Sequence, residues 1–337
     1  MKKFSTIYTA LLLTGLSAQS TMTHASDTGN IISNTVIEGA IEIEAGFSND
    51  YNDENSSDIA VATVELSINS TINEKISSHI VLLHEEDETA LEVDEASISI
   101  DLGNGYLLTA GQLYLPFGNF ETNMVSDSLP LELGETRETA VQLDIESGSV
   151  TSSVYLFNGD VIENNADDSV ASMGLNITYS ADSFTTGISY INNITDSDLI
   201  SESLASTPAT TSYVSAMSVY ANASFGKTSV FVEYMTALDE FDAADLSIST
   251  SNKKPATMNL EAGFDLDGAM LAIAYQTTSE AVDFDLPEGR VLVSYSMDLM
   301  KNTSLAFELA SDTDYSVADG GTGENASALT TQLVIAF

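Results

Sequence analysis

Only two histidines lie beyond the first 25 residues, His79 and His84, and the chain contains no cysteine. Hydrolytic catalysis commonly needs a histidine held by a carboxylate or an amide beside a nucleophile or a water molecule. The two histidines are five residues apart in a segment with strand character, so their side chains point to opposite faces of the strand. We therefore expect no enzymatic activity, no catalytic residues and no cofactor.

Carboxylates are the abundant polar groups, with 51 Asp and Glu residues against nine Lys and Arg residues. The run Glu85-Glu86-Asp87-Glu88 and the stretch Asn49–Asp58 are acidic and could bind Ca²⁺ or Mg²⁺ weakly through oxygen ligands. Neither has the spaced ligands and the turn glycine of an EF-hand. Solvated loops, or loops bridged by cations to lipopolysaccharide, explain them better than a metal site, and we expect no resident metal.

The net charge excludes one large class of partners. All 51 acidic residues follow Ala25, where only seven basic residues (9 − 2) remain, so this part of the chain carries 7 − 51 = −44. Nucleic acid is excluded as a partner because its phosphates would be repelled. Such charge often accompanies disorder, but 43% of the residues are hydrophobic and the mean hydropathy is +0.07. The acidic and apolar residues must therefore be segregated along the chain.

The segregation has a period of two residues. Between positions 35 and 47, apolar side chains take odd positions, whereas Glu38, Glu42 and Glu44 take even ones. Similar alternation recurs at 60–68, 96–102 and 139–146. This pattern predicts strands with one oily face and one wet face.

About sixteen such strands can be counted, and the connections between them alternate in length. Tight connections occur, for example, at 103–105, 181–182, 226–227 and 267–268. Long polar connections occur near 48–56, 85–90, 116–136, 159–168, 193–211, 238–255, 280–288 and 312–325. Short turns on one rim and long loops on the other are typical of transmembrane β-barrels. We therefore predict an all-β fold, a porin-like transmembrane antiparallel β-barrel with a water-filled lumen.

The two ends of the chain indicate export to the bacterial outer membrane. Lys2 and Lys3 precede a short apolar run, and Thr23-His24-Ala25 provides small residues for cleavage, which predicts a signal peptide over 1–25. A short periplasmic segment, 26–34, then leads into a barrel over 35–337. The final strand alternates up to the terminal Phe337, which resembles the signal read by the barrel insertion machinery.

The connection after the fifth strand differs from the other long loops. It contains many apolar side chains, which a freely solvated loop would not carry. We expect it to fold inward, to pack on the barrel wall and to narrow the pore. Arg137 follows it and could either face acids across the constriction or neutralise a neighbour such as Glu135 or Glu138. Our candidates for contact with the solute at this constriction are Phe117, Asn119, Phe120, Glu121, Asn123 and Arg137.

The same region carries a family resemblance. Residues 111–140, GQLYLPFGNFETNMVSDSLPLELGETRETA, resemble the signature segment of LbtU-type siderophore porins, and the 119–137 stretch is the discriminating part. The resemblance implies an outer-membrane barrel that takes up a ferric siderophore. It assigns no individual binding residues. We expect no TonB-type plug, because only about ten residues separate Ser26 from the first strand.

Three functions stay open at this point. The acidic lumen opposes anionic ferric chelates, so a siderophore substrate would have to be neutral or cationic. A general diffusion porin that prefers cations is the alternative, because inward carboxylates favour positively charged solutes. A structural barrel without transport is the third possibility. The expected partners are outer-membrane lipid and lipopolysaccharide, the insertion machinery and a small solute that could be a ferric siderophore.

Overall fold

The computed structural model describes residues 34–86, 89–164, 169–205, 209–247, 249 and 251–337. The expected signal peptide and nearly all of the 26–34 segment lie outside these residues. Within them, no helix is long and apolar enough to cross a membrane.

Sixteen strands of the described residues close into one antiparallel barrel, which confirms the predicted fold class. In chain order, the strands and the two short helices are β1 (Thr35–Asn49), β2 (Asn55–Asn73), β3 (Ile76–Glu85), β4 (Thr89–Gly103), β5 (Tyr106–Tyr114), α1 (Leu129–Gly134), β6 (Arg137–Ser147), β7 (Val150–Asn158), β8 (Ile162–Glu163), β9 (Ser172–Ala181), β10 (Phe184–Ile191), α2 (Asp198–Ser203), β11 (Ala209–Thr210), β12 (Ala216–Phe225), β13 (Thr228–Ala237), β14 (Ala256–Asp265), β15 (Ala269–Ser279), β16 (Gly289–Met300), β17 (Thr303–Thr313) and β18 (Asn325–Ala336). The two-residue strands β8 and β11 pair with each other outside the barrel sheet. Turns of 3₁₀ helix occur at Ile194–Asp196, Val282–Phe284 and Val317–Asp319.

The barrel closes between its first and last strands. Strand β1 pairs with β18 from Ala40–Ala336 to Asn49–Ser327, and no wall strand is left with an unpaired edge. Closure satisfies the backbone hydrogen bonds of the wall, which lipid itself cannot do. The main chain of Phe337 adds two bonds to Gly39, each 2.9 Å long.

The connections alternate in length as the sequence predicts, except at the expected long connection 85–90, where β3 ends at Glu85 and β4 already begins at Thr89. The turn between β4 and β5 contains Gly103, Asn104 and Gly105, all with positive φ, a conformation that glycine and asparagine adopt readily. Similarly short turns join β2 to β3, β6 to β7, β9 to β10, β12 to β13, β14 to β15 and β16 to β17. The longer connections all lie on the opposite rim, which is the extracellular one in barrels of this kind.

The strand periodicity separates an oily outer surface from a polar inner one. Apolar side chains such as Ile43, Val141, Ile273 and Leu309 are exposed on the outside, between 39% and 58%. Aromatic side chains occupy both faces of the wall: Tyr155 and Phe157 face the interior and are 2% and 1% exposed. Aromatic side chains that do lie exposed near strand ends are those of Phe47, Tyr106, Tyr114, Tyr179 and Phe225.

Candidate functional site

The connection between β5 and β6, residues 115–136, lies inside the barrel, and we call it the inner loop. It starts at the rim, where the Leu115 N–H donates to the Thr136 carbonyl at 2.9 Å. From there it crosses the lumen to the wall formed by β13–β17, which faces β5 in the closed sheet. The loop ends in helix α1, which is capped by the Ser128 hydroxyl and has Pro130 in its first turn. The inward course of this loop agrees with its apolar composition.

Glu233 of β13 fastens the first part of the inner loop. Its carboxylate accepts the backbone N–H groups of Asn119 at 3.0 Å and Phe120 at 2.8 Å, and the Ser218 hydroxyl at 2.6 Å. The side chain is 5% exposed. Donors directed at both oxygens compensate the carboxylate for the water it loses.

Glu261 of β14 repeats this arrangement one strand further around the wall. It accepts the backbone N–H of Asn123 at 2.7 Å, the Asn123 side-chain amide at 2.6 Å and the Thr122 hydroxyl at 2.7 Å. On β17, Glu308 accepts the backbone N–H groups of Val125 at 2.7 Å and Ser126 at 3.1 Å. Glu261 is 1% exposed and Glu308 is 2% exposed. Three inward carboxylates thus hold consecutive parts of one loop.

Arg290 of β16 binds the helical end of the inner loop. Its guanidinium donates to Glu132 of α1 at 2.7 Å and to Asp312 of β17 at 3.0 Å. The arginine side chain is 7% exposed, and Glu132 and Asp312 are 21% and 19% exposed. One basic side chain therefore joins the loop to two strands of the wall.

The long connections build an apolar core within the extracellular half of the barrel. Phe117, Leu129 and Leu133 of the inner loop belong to it, together with inward-facing residues of the wall such as Phe157 and Met235. Other members come from connections that the sequence predicts only as polar loops: Ile194, Ile200, Leu204, Val214, Phe241, Leu246, Phe284 and Leu286. The core fills the sector beside β5–β15, so it restricts the water-filled passage to the remaining sector.

That remaining sector is lined by carboxylates on β1–β4, which we call the acidic wall: Glu42, Glu44, Glu65, Glu85, Glu92 and Glu95. Their inward orientation follows from the register. Gln332 of β18 donates to Glu42 at 3.1 Å and to Glu44 at 2.9 Å, and Gln332 lies on the same face of β18 as Thr330, the partner of Glu308. Among the described residues, no group of three or more His, Asp or Glu has the arrangement of a metal site.

The two histidines differ as the strand periodicity predicts. His79 faces inward, where its Nδ1 lies 2.6 Å from Asn69 Oδ1 and its Nε2 lies 3.6 Å from Glu95. His84 pairs in register with Val64 on the opposite face of the strand.

Glu135, at the end of α1, titrates differently from an ordinary glutamate. Burial is the main cause, and the nearby carboxylates Asp198, Glu85 and Asp94 add to it, which together raise its pKa to about 8. Arg137 acts in the opposite direction, but less strongly. The charge on this side of the passage therefore changes near neutral pH.

The predicted site residues are all parts of the inner loop or its end, but their environments differ. Phe117 is 1% exposed and belongs to the apolar core, whereas Asn119, Phe120 and Asn123 bind wall carboxylates. Glu121 accepts a hydrogen bond from the Asn222 amide.

Arg137 has partners that the sequence did not indicate. It donates to Asp94 at 2.6 Å and Glu92 at 2.9 Å on β4, not to Glu135 or Glu138. Strand β5 separates β4 from β6, and the long guanidinium side chain reaches past Tyr114, its partner on β5, whose hydroxyl also donates to Asp94 at 3.2 Å.

Sequence reasoning missed Glu233, Glu261, Glu308 and Arg290 as determinants of the site. Their even or odd positions within each strand predict that they face inward, but nothing in the sequence identifies the loop backbone as their partner. An acidic residue inside a strand that is otherwise apolar on the same face, such as Glu233 beside Phe231 and Met235, was the available signal.

Comparison with known proteins agrees with this architecture. The chain is 24% identical over 311 residues to a UPF0422 protein of Coxiella burnetii and 22% identical over 349 residues to the UPF0422 protein lpg2959 of Legionella pneumophila, covering 86% and 89% of this chain. In both cases the match spans 66% of the relative, slightly less than two thirds of its length.

Solved structures share the fold at low identity. The outer membrane channel DcaP of Acinetobacter baumannii superposes with a TM-score of 0.64 at 13% identity, covering 90% of this chain and 97% of that one. OmpF of Salmonella typhi, solved in complex with daunomycin, gives a TM-score of 0.64 at 11% identity over 90% and 97% of the two chains. These matches show the barrel fold of the chain. The family model of the phosphate-selective porins O and P matches residues 37–333, and the chain therefore belongs to that family.

Proposed function

We propose that this barrel is a passive outer-membrane channel that favours small cationic and neutral solutes. The observation that carries the proposal is the acidic wall, whose six carboxylates face inward by the register of β1–β4; of these, Arg137 binds Glu92. The apolar core occupies the opposite sector, so a solute must pass close to this wall. Rings or rows of carboxylates in a narrow pore attract cations and repel anions.

The description of the family names phosphate, but the charges of this chain support a different preference. Its seven basic residues after Ala25 all lie among the described residues. Lys75, Lys227 and Lys301 lie at short turns. In the extracellular connections, Lys253 forms an ion pair with Asp283, and the Lys254 ammonium donates to the Leu238 carbonyl at 2.8 Å. Arg290 lies in the interior and Arg137 on the outer face near the rim, and each is bonded to two carboxylates. A phosphate path would need cationic donors that are not already neutralised.

Uptake of a ferric siderophore is the second candidate. The resemblance of residues 111–140 to LbtU-type porins supports it, and the acidic wall limits the substrate to a neutral or cationic chelate. Growth and ferric-siderophore uptake under iron starvation, with and without the gene, test this candidate. Unchanged uptake would leave the general cation-preferring channel as the better description.

Ion selectivity tests the main proposal. We expect purified protein in planar bilayers under a KCl gradient to give a reversal potential that favours K⁺ over Cl⁻. The triple variant E44Q/E65Q/E95Q should move the reversal potential toward zero, because it removes three charges from the acidic wall. The matched control, D182N/D319N/E324Q, removes three exposed charges at the rims and should have a much smaller effect. Anion preference, or no current at all, would contradict the proposal.

Two further partners belong to this proposal. The acidic extracellular connections, such as residues 50–54, would contact lipopolysaccharide through bridging divalent cations. The last strand, β18 with Phe337, would be recognised by the barrel insertion machinery. Outer-membrane lipid surrounds the apolar outer surface.

A further inference from the structure

The inner loop is fastened in two different ways along its length. Phe117 on one side, and Leu129 and Leu133 on the other, are at most 1% exposed within the apolar core. The intervening residues 119–126, which we call the latched segment, are held mainly by the carboxylates of Glu233, Glu261 and Glu308. Apolar anchors at both ends fix where the segment begins and ends, whereas hydrogen bonds hold most of its middle, where Met124 also packs against Leu292.

The wall behind the latched segment is unusually polar for a buried surface. Asn259 Oδ1, Gln276 Nε2 and Ser294 Oγ are buried and have no hydrogen-bond partner within the described residues. Asn259 is 2% exposed, Gln276 is 0% exposed and Ser294 is 1% exposed. Buried polar groups without a partner are rare in folded proteins because they lose hydration without compensation. If this wall served only to pack against the latched segment without water, we would expect apolar side chains at these positions.

These unsatisfied groups lie beside the carboxylates that hold the loop. Asn259 pairs across the sheet with Glu233 on one side and Gln276 on the other. Ser294 pairs with Glu308. Gln276 uses its Oε1 to accept the Leu129 N–H at 3.2 Å, which leaves its amide nitrogen unused. Displacing the latched segment would thus hydrate these side chains together.

The backbone at the start of the latched segment is strained. Gly118 has φ of 87°, and Phe120, which has a large side chain, has φ of 58°. A left-handed conformation is unfavourable for phenylalanine and persists only where surrounding contacts hold it. Here the holding contact is the bond from the Phe120 N–H to Glu233. Breaking the contact would let this residue relax and move the segment.

We propose that the latched segment is a releasable gate with two positions. In the position described above, three carboxylates hold the latched segment against β13–β17, and the segment covers the polar wall. In the second position the segment moves away from that wall, and water hydrates the side chains of Asn259, Gln276 and Ser294. The apolar anchors stay in place in both positions, so the rest of the barrel is unchanged.

Thiol accessibility tests the proposal, since the chain contains no cysteine of its own. A single cysteine introduced by Ser294→Cys would be titrated with a neutral, water-soluble methanethiosulfonate in detergent-solubilised barrel. We expect slow modification in the otherwise unaltered chain and modification at least about tenfold faster with E233Q/E261Q/E308Q, because each substitution replaces charge-assisted bonds. The single change E261Q should give an intermediate rate, which keeps the test valid if the triple variant does not fold.

Two controls separate gate release from general loosening. The acidic-wall variant E44Q/E65Q/E95Q removes the same number of charges and should leave the rate at Ser294→Cys unchanged. A cysteine introduced by Ala216→Cys, at a position that is 0% exposed in the apolar core, should stay unmodified in every background. Equal rates at Ser294→Cys with and without the three carboxylates would overturn the proposal, and so would exposure of the Ala216→Cys thiol.

Discussion

The guanidinium of Arg290 donates to the carboxylate of Glu132 at 2.7 Å, across 158 positions of the sequence. Glu132 lies on the helix of the inner loop and Arg290 on the barrel wall, so this ion pair joins the constriction to the scaffold. Asp312 completes the arrangement from the neighbouring strand.

Replacing Arg290 with alanine should strongly destabilise the protein. The change leaves Glu132 and Asp312 facing each other in a poorly hydrated region, and removing one partner of a buried pair costs about 3 kcal/mol or more. The midpoint of urea unfolding in detergent, together with the susceptibility of the inner loop to chymotrypsin at Phe117 and Phe120, measures the effect. Lys227→Ala is the matched control, because the Lys227–Asp267 pair is 56% and 80% exposed and should contribute less than about 1 kcal/mol. Equal effects of the two changes would contradict this reasoning.

Replacing Arg137 with alanine should change the ion selectivity of the channel little. Its guanidinium shares the outward face of β6 with Val141 and binds Asp94 and Glu92 near the rim, so it does not line the passage. The reversal potential of Arg137→Ala in a KCl gradient should stay close to that of the native chain, whereas E44Q/E65Q/E95Q should move it toward zero. A large shift for Arg137→Ala would mean that the guanidinium does act on the permeating ion.

Conductance should depend on pH through Glu135. Its pKa of about 8 means that the carboxyl is largely protonated below that pH and ionised above it. Raising the pH from about 6 to about 9.5 should therefore add negative charge beside the passage and increase K⁺ selectivity. Glu135→Gln should reduce this step without abolishing it, because burial also raises the pKa of Asp196 to about 7. Glu324→Gln at the exposed rim should preserve the step.

The same pKa fixes the sign of a stability change. The folded protein binds a proton at Glu135 more tightly than the unfolded chain does, so the contribution of this group to stability is greatest below its ordinary pKa of 4.5. That contribution falls as the pH rises from there through about 8. Unfolding midpoints of the native chain and of Glu135→Gln, compared over this range, measure the difference. A difference that is constant with pH would refute the assignment.

Phe117 should act as an anchor of the inner loop and not as a contact for the solute. It is 1% exposed in the apolar core, and truncation to alanine would leave a cavity that costs about 3 kcal/mol or more. We expect Phe117→Ala to lower the unfolding midpoint and to increase open-channel noise in single-channel records. Phe117→Leu keeps most of the buried volume, so its open-channel noise should stay as low as that of the native chain. If both variants matched the native chain, the core would not be what holds the loop.

The end of the chain should be sensitive to the space beside Gly39. A Cβ at this position would lie 2.7 Å from Cζ of Phe337, whereas a Cβ at Gly46, on the same strand, would have no heavy atom within 4 Å. Gly39→Ala should therefore displace the terminal ring and lower the yield of folded, heat-modifiable barrel, but Gly46→Ala should not. Phe337→Ser should also lower the yield of inserted protein in cells, because the terminal aromatic is the expected insertion signal. Normal insertion of Phe337→Ser would argue against that role.

The sequence by itself was sufficient for the architecture. A period of two residues assigns Ile43 to lipid and Glu44 to the water-filled interior, and the alternation of short and long connections orients the strands. These are local properties of the chain, so the sixteen-stranded barrel and its polarity could be predicted without knowing any contact. The apolar composition of residues 116–136 was likewise enough to predict that this loop turns inward.

Only the tertiary structure decided where the passage lies and what holds the loop. Ile200, Phe241 and Phe284 belong to separate connections that look polar along the sequence, and only the closed barrel brings them together as a core on one side of the lumen. The partners of Glu233 and Glu308 are backbone N–H groups from 113 and 183 positions away, and a backbone group has no sequence signature. Periodicity tells which face of a strand a carboxylate occupies, but its partner depends on how distant segments meet in space.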